Sequence, residues 1–124
     1  MTRIVIATLD ADGLEANVSP HFGRCPYFMV VDLEGDEVRA LKAVTNPFYP
    51  NHQPGEVPGF IHSLGAEVML CGGMGGRAVA FFQQYGIEPV TGASGTVRES
   101  LGAYLGGDLQ GAAPCAESIE HGHG

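Results

Sequence analysis

The chain has few cations, no long apolar run and little cysteine, and each shortage closes off a class of function or framework. Six lysines and arginines stand against fourteen aspartates and glutamates, a formal charge of −8. A nucleic-acid surface needs clustered basic residues to displace counterions from phosphates, so no nucleic-acid partner is expected. No stretch approaches the roughly 20 apolar residues that cross a bilayer, so no membrane partner is expected either. Met1-Thr2-Arg3 runs straight into a strand-like Ile4-Val5-Ile6-Ala7 with no signal-peptide cleavage pattern, and a cytoplasmic location is the expectation. Cys25, Cys71 and Cys115 are far apart and odd in number, and in a reducing compartment they read as thiols rather than a disulfide framework.

What is present suffices for one packed domain. The 124 residues fit the usual domain size, and 44% hydrophobic against 16% charged residues supports a core. Residues 3–9 read as a buried strand, short and rich in β-branched residues. Residues 27–33 and 37–44 are two more strands, joined by a tight hairpin at Glu34-Gly35-Asp36. A loop from Asn46 to Gly59 carries Pro47, Pro50, Pro54 and Pro58, which forbid a regular ladder or helix there. The spacing of Val57 and Ile61, and of Phe60 and Leu64, predicts a short helix over 57–64.

The back half alternates strand and helix. Residues 67–71 form a strand, then Gly72-Gly73-Met74-Gly75-Gly76 turns into a helix reaching about Tyr85, with Gly86 as its natural terminator. Residues 87–90 form the last strand, and Gly92-Ala93-Ser94-Gly95-Thr96 turns into the last helix. There Thr96 and Glu99 have capping-box spacing, and Val97, Leu101 and Leu105 form an apolar stripe. A three-strand meander followed by βα units predicts an α/β domain over 1–108, a five-stranded mixed sheet with helices on both faces. Residues 109–124 turn polar and small and read as a mobile tail.

Chemistry is expected in three segments. Ser19-Pro20-His21-Phe22-Gly23-Arg24-Cys25-Pro26 offers an imidazole, a thiol and a cation on a constrained loop. Soft metals and sulfide clusters favour such ligands, although a half-buried His and a small apolar Cys in a structural loop give the same string. Cys71-Gly72-Gly73-Met74-Gly75-Gly76-Arg77 joins a strand end to a helix start, where free amides and the helix dipole favour an anion. Its dinucleotide-fingerprint match is weak, and a structural turn explains it as well. Thr91-Gly92-Ala93-Ser94-Gly95-Thr96 repeats the arrangement with hydroxyls, though a plain N-cap accounts for Ser94 and Thr96. Cys71 and Gly92 both end parallel strands, so these loops should share one sheet edge and meet the His21 loop there. Cys115, His121 and His123 form a loose metal-binding candidate in the tail. His52 and His62 read as ordinary solvated or satisfied histidines.

Val18-Ser-Pro-His-Phe-Gly-Arg-Cys-Pro-Tyr-Phe28, Leu70-Cys-Gly-Gly-Met-Gly-Gly-Arg-Ala78 and Thr91-Gly-Ala-Ser-Gly-Thr-Val97, in this order, resemble the dinitrogenase iron–molybdenum-cofactor biosynthesis family. The resemblance runs over about residues 3–108. It implies a ribonuclease-H-like three-layer sandwich without nuclease activity, and the binding or carrying of a metal–sulfur cluster, iron–sulfur or molybdenum-containing. It further implies cofactor-assembly proteins as partners, and places the signature loops at His21 to Cys25, Cys71 to Arg77 and Gly92 to Thr96. On this reading the cluster faces the amides of 72–76 and 92–96, Arg24 and Arg77 balance its charge, and His21, Cys25 or Cys71 ligate it. Gly72, Gly73, Met74, Gly75, Gly92, Ser94 and Thr96 complete the cofactor-binding set, with no catalytic residue. Two rival expectations stay open. One is a small enzyme acting on a phosphorylated or nucleotide ligand in the same crevice, and the other is a regulatory module binding a protein through the Pro47–Pro58 loop.

Overall fold

The structure is a computed structural model that describes residues 2–22, 24–48, 56–109 and 111. Strand β1 (Thr2–Thr8) shows why a sheet forms with cover on both faces. Ile4 and Ile6 point one way and Val5 and Ala7 the other, and all four are fully buried. Antiparallel β2 (Tyr27–Glu34) and β3 (Glu37–Thr45) follow as the expected meander. Gly35, with φ of 61°, takes the first central position of the two-residue turn between them, as in a II′-type hairpin. The ladder shifts register between Asp32 and Leu33.

The chain then crosses through α1 (Glu56–Ser63) to β4 (Val68–Leu70), through α2 (Gly76–Gln84) to β5 (Glu88–Val90), and ends in α3 (Val97–Leu105). Strand order is β3-β2-β1-β4-β5, with β4 and β5 running parallel to β1. One core cluster joins Ile4, Ile6, Met29, Val31, Leu70 and Val90 to Val97 and Leu101 of α3. The opposite face joins Val5, Phe28, Val30 and Met69 to Val57 and Ile61 of α1 and Phe82 of α2. Burying each such large side chain contributes about 1.5–3 kcal/mol before chain entropy is counted. The expected α/β architecture with a five-stranded mixed sheet is therefore present.

Two details depart from the sequence reading. A short 3-10 turn, Gly13–Glu15, sits between β1 and β2, where no element was expected. Its loop is organised by Asp10, whose carboxylate accepts from the backbone N–H groups of Asp12 and Asn17 and from Asn17 Nδ2, which holds its pKa below the ordinary range. The chain also keeps packing beyond residue 108. Leu109 lies against the α3-side core, and Thr91 N donates to Gly111 O at 3.1 Å. No helix among the described residues is long and apolar enough to cross a membrane.

Candidate functional site

Strands β1 and β4 release their chains at the same edge, and backbone hydrogen bonds gather three loops there. Gly72 N donates to Ser19 O at 3.1 Å and Phe22 N to Gly73 O at 2.8 Å, joining the first loop to the second. Gly92 N donates to Gly72 O at 3.0 Å and Ala93 N to Cys71 O at 3.1 Å, joining the second to the third. Backbones approach so closely that a Cβ on Gly72 would stand 2.7 Å from Pro20 Cα, and one on Gly73 would stand 3.0 Å from Pro20 O. Only glycine fits against such a roof. Ser19 shapes that roof from inside, its buried hydroxyl donating to His21 O and accepting from His21 N. Phe22 anchors it, its ring edge-on to Phe82 at 5.1 Å between centroids.

The two helix starts at this edge differ in a way that decides their chemistry. α3 carries a complete capping box, in which Thr96 N donates to Glu99 Oε1 at 3.0 Å and Glu99 N to Thr96 Oγ1 at 3.2 Å. The N–H groups of Thr91, Gly92, Ala93 and Val97 are likewise taken by carbonyls of the protein. A carboxylate thus already occupies the anion position of the third loop. α2 has no such plug, because its N-cap is Gly75, which offers no side chain. Among the described residues, no protein acceptor takes the N–H groups of Gly73, Met74, Gly75, Gly76, Arg77 or Ala78. Met74, buried, pins this run of amides to the α1–α2 core.

Charge follows the same division. Arg3 pairs with Asp32 at 2.7 Å, Arg39 with Glu34 and Glu37, and Arg98 with Glu15. Arg24 and Arg77 are exposed and, among the described residues, pair with no carboxylate. They lie on the first loop and in the first turn of α2.

The soft ligands are distributed otherwise than the sequence suggested. Cys25 and Cys71 are both fully buried in the α1–α2 core, and neither forms a disulfide. Cys71 Sγ donates to Gly73 O at 3.4 Å, and burial, reinforced by nearby Cys25, pushes its thiol up to about 12. Cys25 has its carbonyl held by Nδ2 of buried Asn46 at 2.9 Å. As folded, these sulfurs support the loops from beneath and do not face a guest. His21 is exposed at the loop edge. Among the described residues, no three of His, Cys, Asp and Glu come together as a metal-binding group. His62, at the end of α1, stacks on Tyr85 at 4.5 Å, away from the three loops. Cys115, His121, His123, His52 and most of the Pro47–Pro58 loop lie outside the described residues.

The sequence reading missed Ser19 and Pro20 as the roof of the glycine turn and Glu99 as the plug of the third loop. The Thr96–Glu99 spacing was the available signal for the plug.

The family model for the dinitrogenase iron-molybdenum cofactor matches residues 2–107, including all three loops. The chain belongs to that family. Membership ties this dinitrogenase iron-molybdenum cofactor domain to the biosynthesis or binding of that cofactor. It is similar to PH0822, whose crystal structure is 40% identical with a TM-score of 0.77 over 89% of this chain and 96% of that one. The orange protein from Desulfovibrio gigas, solved in its apo form, is 29% identical with a TM-score of 0.79 over 92% of this chain and 95% of that one. MJ0580 of Methanocaldococcus jannaschii is 28% identical over 95 residues, 75% of this chain and 80% of that protein.

Proposed function

We propose that this protein binds and carries a metal–sulfur cluster, iron–sulfur or molybdenum-containing, or a precursor of one, and exchanges it with cofactor-assembly proteins. The cluster is cargo. It sits on the Gly73–Ala78 turn, with its sulfides accepting from the backbone N–H groups and Arg24 and Arg77 balancing its charge. The observation that carries this reading is the run of amides from Gly73 to Ala78 with no acceptor among the described residues, in a molecule of formal charge −8 whose Arg24 and Arg77 pair with no carboxylate among those residues. Such a turn suits a polyanion with many weak acceptors, because each sulfide needs only a donor in range.

The fit can be weighed from the donors. Cradle and cations suit the anionic surface of a cluster, while the buried thiols leave His21 as the exposed imidazole beside it. Holding by amides and arginines, with His21 as a ligand, is therefore favoured over holding by Cys25 or Cys71. The third loop contributes its position more than its amides, and Ser94 is the exposed hydroxyl it offers. The strand order, with β2 alone reversed, supports the ribonuclease-H-like reading. Asp10, tied up by Asp12 and Asn17, supports the reading without nuclease chemistry.

Anaerobic reconstitution with ferrous iron, sulfide and molybdate tests the proposal. Visible absorption and metal that survive desalting are expected, weakened at least tenfold by Arg24→Ala with Arg77→Ala. Failure to retain metal, together with a rise in Tm on adding a nucleotide or phosphate ester, would instead favour the enzyme reading.

A further inference from the structure

Two anchors bracket Arg24 in the first loop. On one side Phe22 N donates to Gly73 O at 2.8 Å, and the Phe22 ring meets Phe82 edge-on. On the other side the loop is held by Asn46, the residue that follows β3. Asn46 N donates to Pro26 O at 2.9 Å, which carries the β2–β3 ladder one bond past Thr45. Its buried side chain donates from Nδ2 to Cys25 O at 2.9 Å and accepts at Oδ1 from Phe48 N at 3.0 Å.

An amide suits this place because it carries a donor and an acceptor on one short side chain. Oδ1 closes a turn with the backbone two residues on, a habit of asparagine, and Nδ2 is then left for the carbonyl of Cys25. Cys25 directly follows Arg24, and its own side chain is sealed in the core. The backbone that bears the Arg24 guanidinium is therefore fixed from the end of β3. Arg24 itself is exposed, and among the described residues no carboxylate holds its tip. A long side chain loses rotamer freedom when it closes on a ligand, and a backbone set in advance lowers that cost.

We propose that Asn46 is a positioning residue for the guest: through Cys25 it fixes the backbone from which Arg24 reaches an anion on the Gly73–Ala78 turn. The inference rests on the cluster-carrier reading of that turn. Asn46 acts through Arg24 and not by contact. Loss of its Nδ2 donor therefore costs affinity only where Arg24 is present to be placed.

Titration with tetrathiomolybdate, a molybdenum–sulfur dianion, tests this as a double-mutant cycle on Asn46→Ala, Arg24→Ala and Arg77→Ala. Asn46→Ala is expected to weaken binding roughly threefold or more, both in the parent chain and in Arg77→Ala. In Arg24→Ala the same change is expected to stay within roughly twofold, because no guanidinium is left to place. Asp32→Ala controls for stability alone, since it breaks the Arg3 pair at the other end of β1. It should lower Tm and leave binding unchanged. Asn46→Ser is the milder variant, in which a hydroxyl still accepts from Phe48 N but nothing stands in the place of Nδ2. It should repeat the Arg24-dependent loss with a Tm closer to that of the parent chain. If Asn46→Ser binds as tightly as the parent chain, the inference is overturned while the carrier reading stands. The same holds if the Asn46 variants lose affinity equally with and without Arg24, or if Asp32→Ala loses as much. If the parent chain binds no tetrathiomolybdate, both fall.

Discussion

Gly72 and Pro20 touch backbone to backbone, so closely that a methyl group on Gly72 would come within 2.7 Å of Pro20 Cα. This contact, with the hydrogen bond from Gly72 N to Ser19 O, sets the height of the first loop over the second.

Gly72→Ala is therefore expected to cost about 1–3 kcal/mol through overpacking, a fall of roughly 4–12 °C in Tm. Gly102→Ala is its control. That glycine lies inside α3 with nothing within 4 Å of the added methyl, and the change is expected to stabilise by about 0.5–1 kcal/mol. Thermal melts of the two variants check the contrast. Equal melts would mean that the loops are not locked together.

Thr96→Ala separates stability from binding. Loss of the cap is expected to cost about 1 kcal/mol in urea unfolding. Retention of an anionic cluster should not change, because the third loop already spends the N–H groups of Thr91, Gly92, Ala93, Thr96 and Val97 on Glu99 and neighbouring carbonyls. The reverse pattern, unchanged stability with lost retention, would move the cradle to that loop.

Alkali reports on the buried thiols. Cys71 is raised from 9.0 to about 12 by burial. A raised pKa stabilises the fold fully below the unfolded value and ceases to do so as pH rises through the folded one. Stability should decline from about pH 9 toward 12. Cys71→Ala should flatten that decline in urea midpoints measured from pH 7 to 11. An unchanged slope would show that the thiol is not sealed.

The sheet was legible because its signals are local. Ile4 and Ile6 against Val5 and Ala7 alternate within four residues, and Gly35 and Gly86 mark a hairpin and a helix end. The meeting of the three loops also followed from the parallel strands. Which glycine turn stays open did not follow, because two strand–glycine–helix strings look alike until Glu99 folds back on Thr96 and Gly75 offers nothing in return. Burial of Cys71 was within reach, since it follows Met69 by two residues and shares its face. Cys25 stood open between a ligand and a small apolar residue of a structural loop, and the structure buries it in the core. Leu109 was hidden by the small, polar composition around it, which resembles a tail although the residue packs on the core.

The central claim is that the Gly73–Ala78 turn, with Arg24 and Arg77, holds a metal–sulfur polyanion. Titration with tetrathiomolybdate, a soluble molybdenum–sulfur dianion, followed by its visible absorption at low and high salt, tests it most directly. Saturable binding is predicted, weakened at least tenfold by the Arg24→Ala, Arg77→Ala double variant and little changed by Arg39→Ala, whose guanidinium is already paired with Glu34 and Glu37. Binding that is absent, or equally strong in all three proteins, would contradict the account.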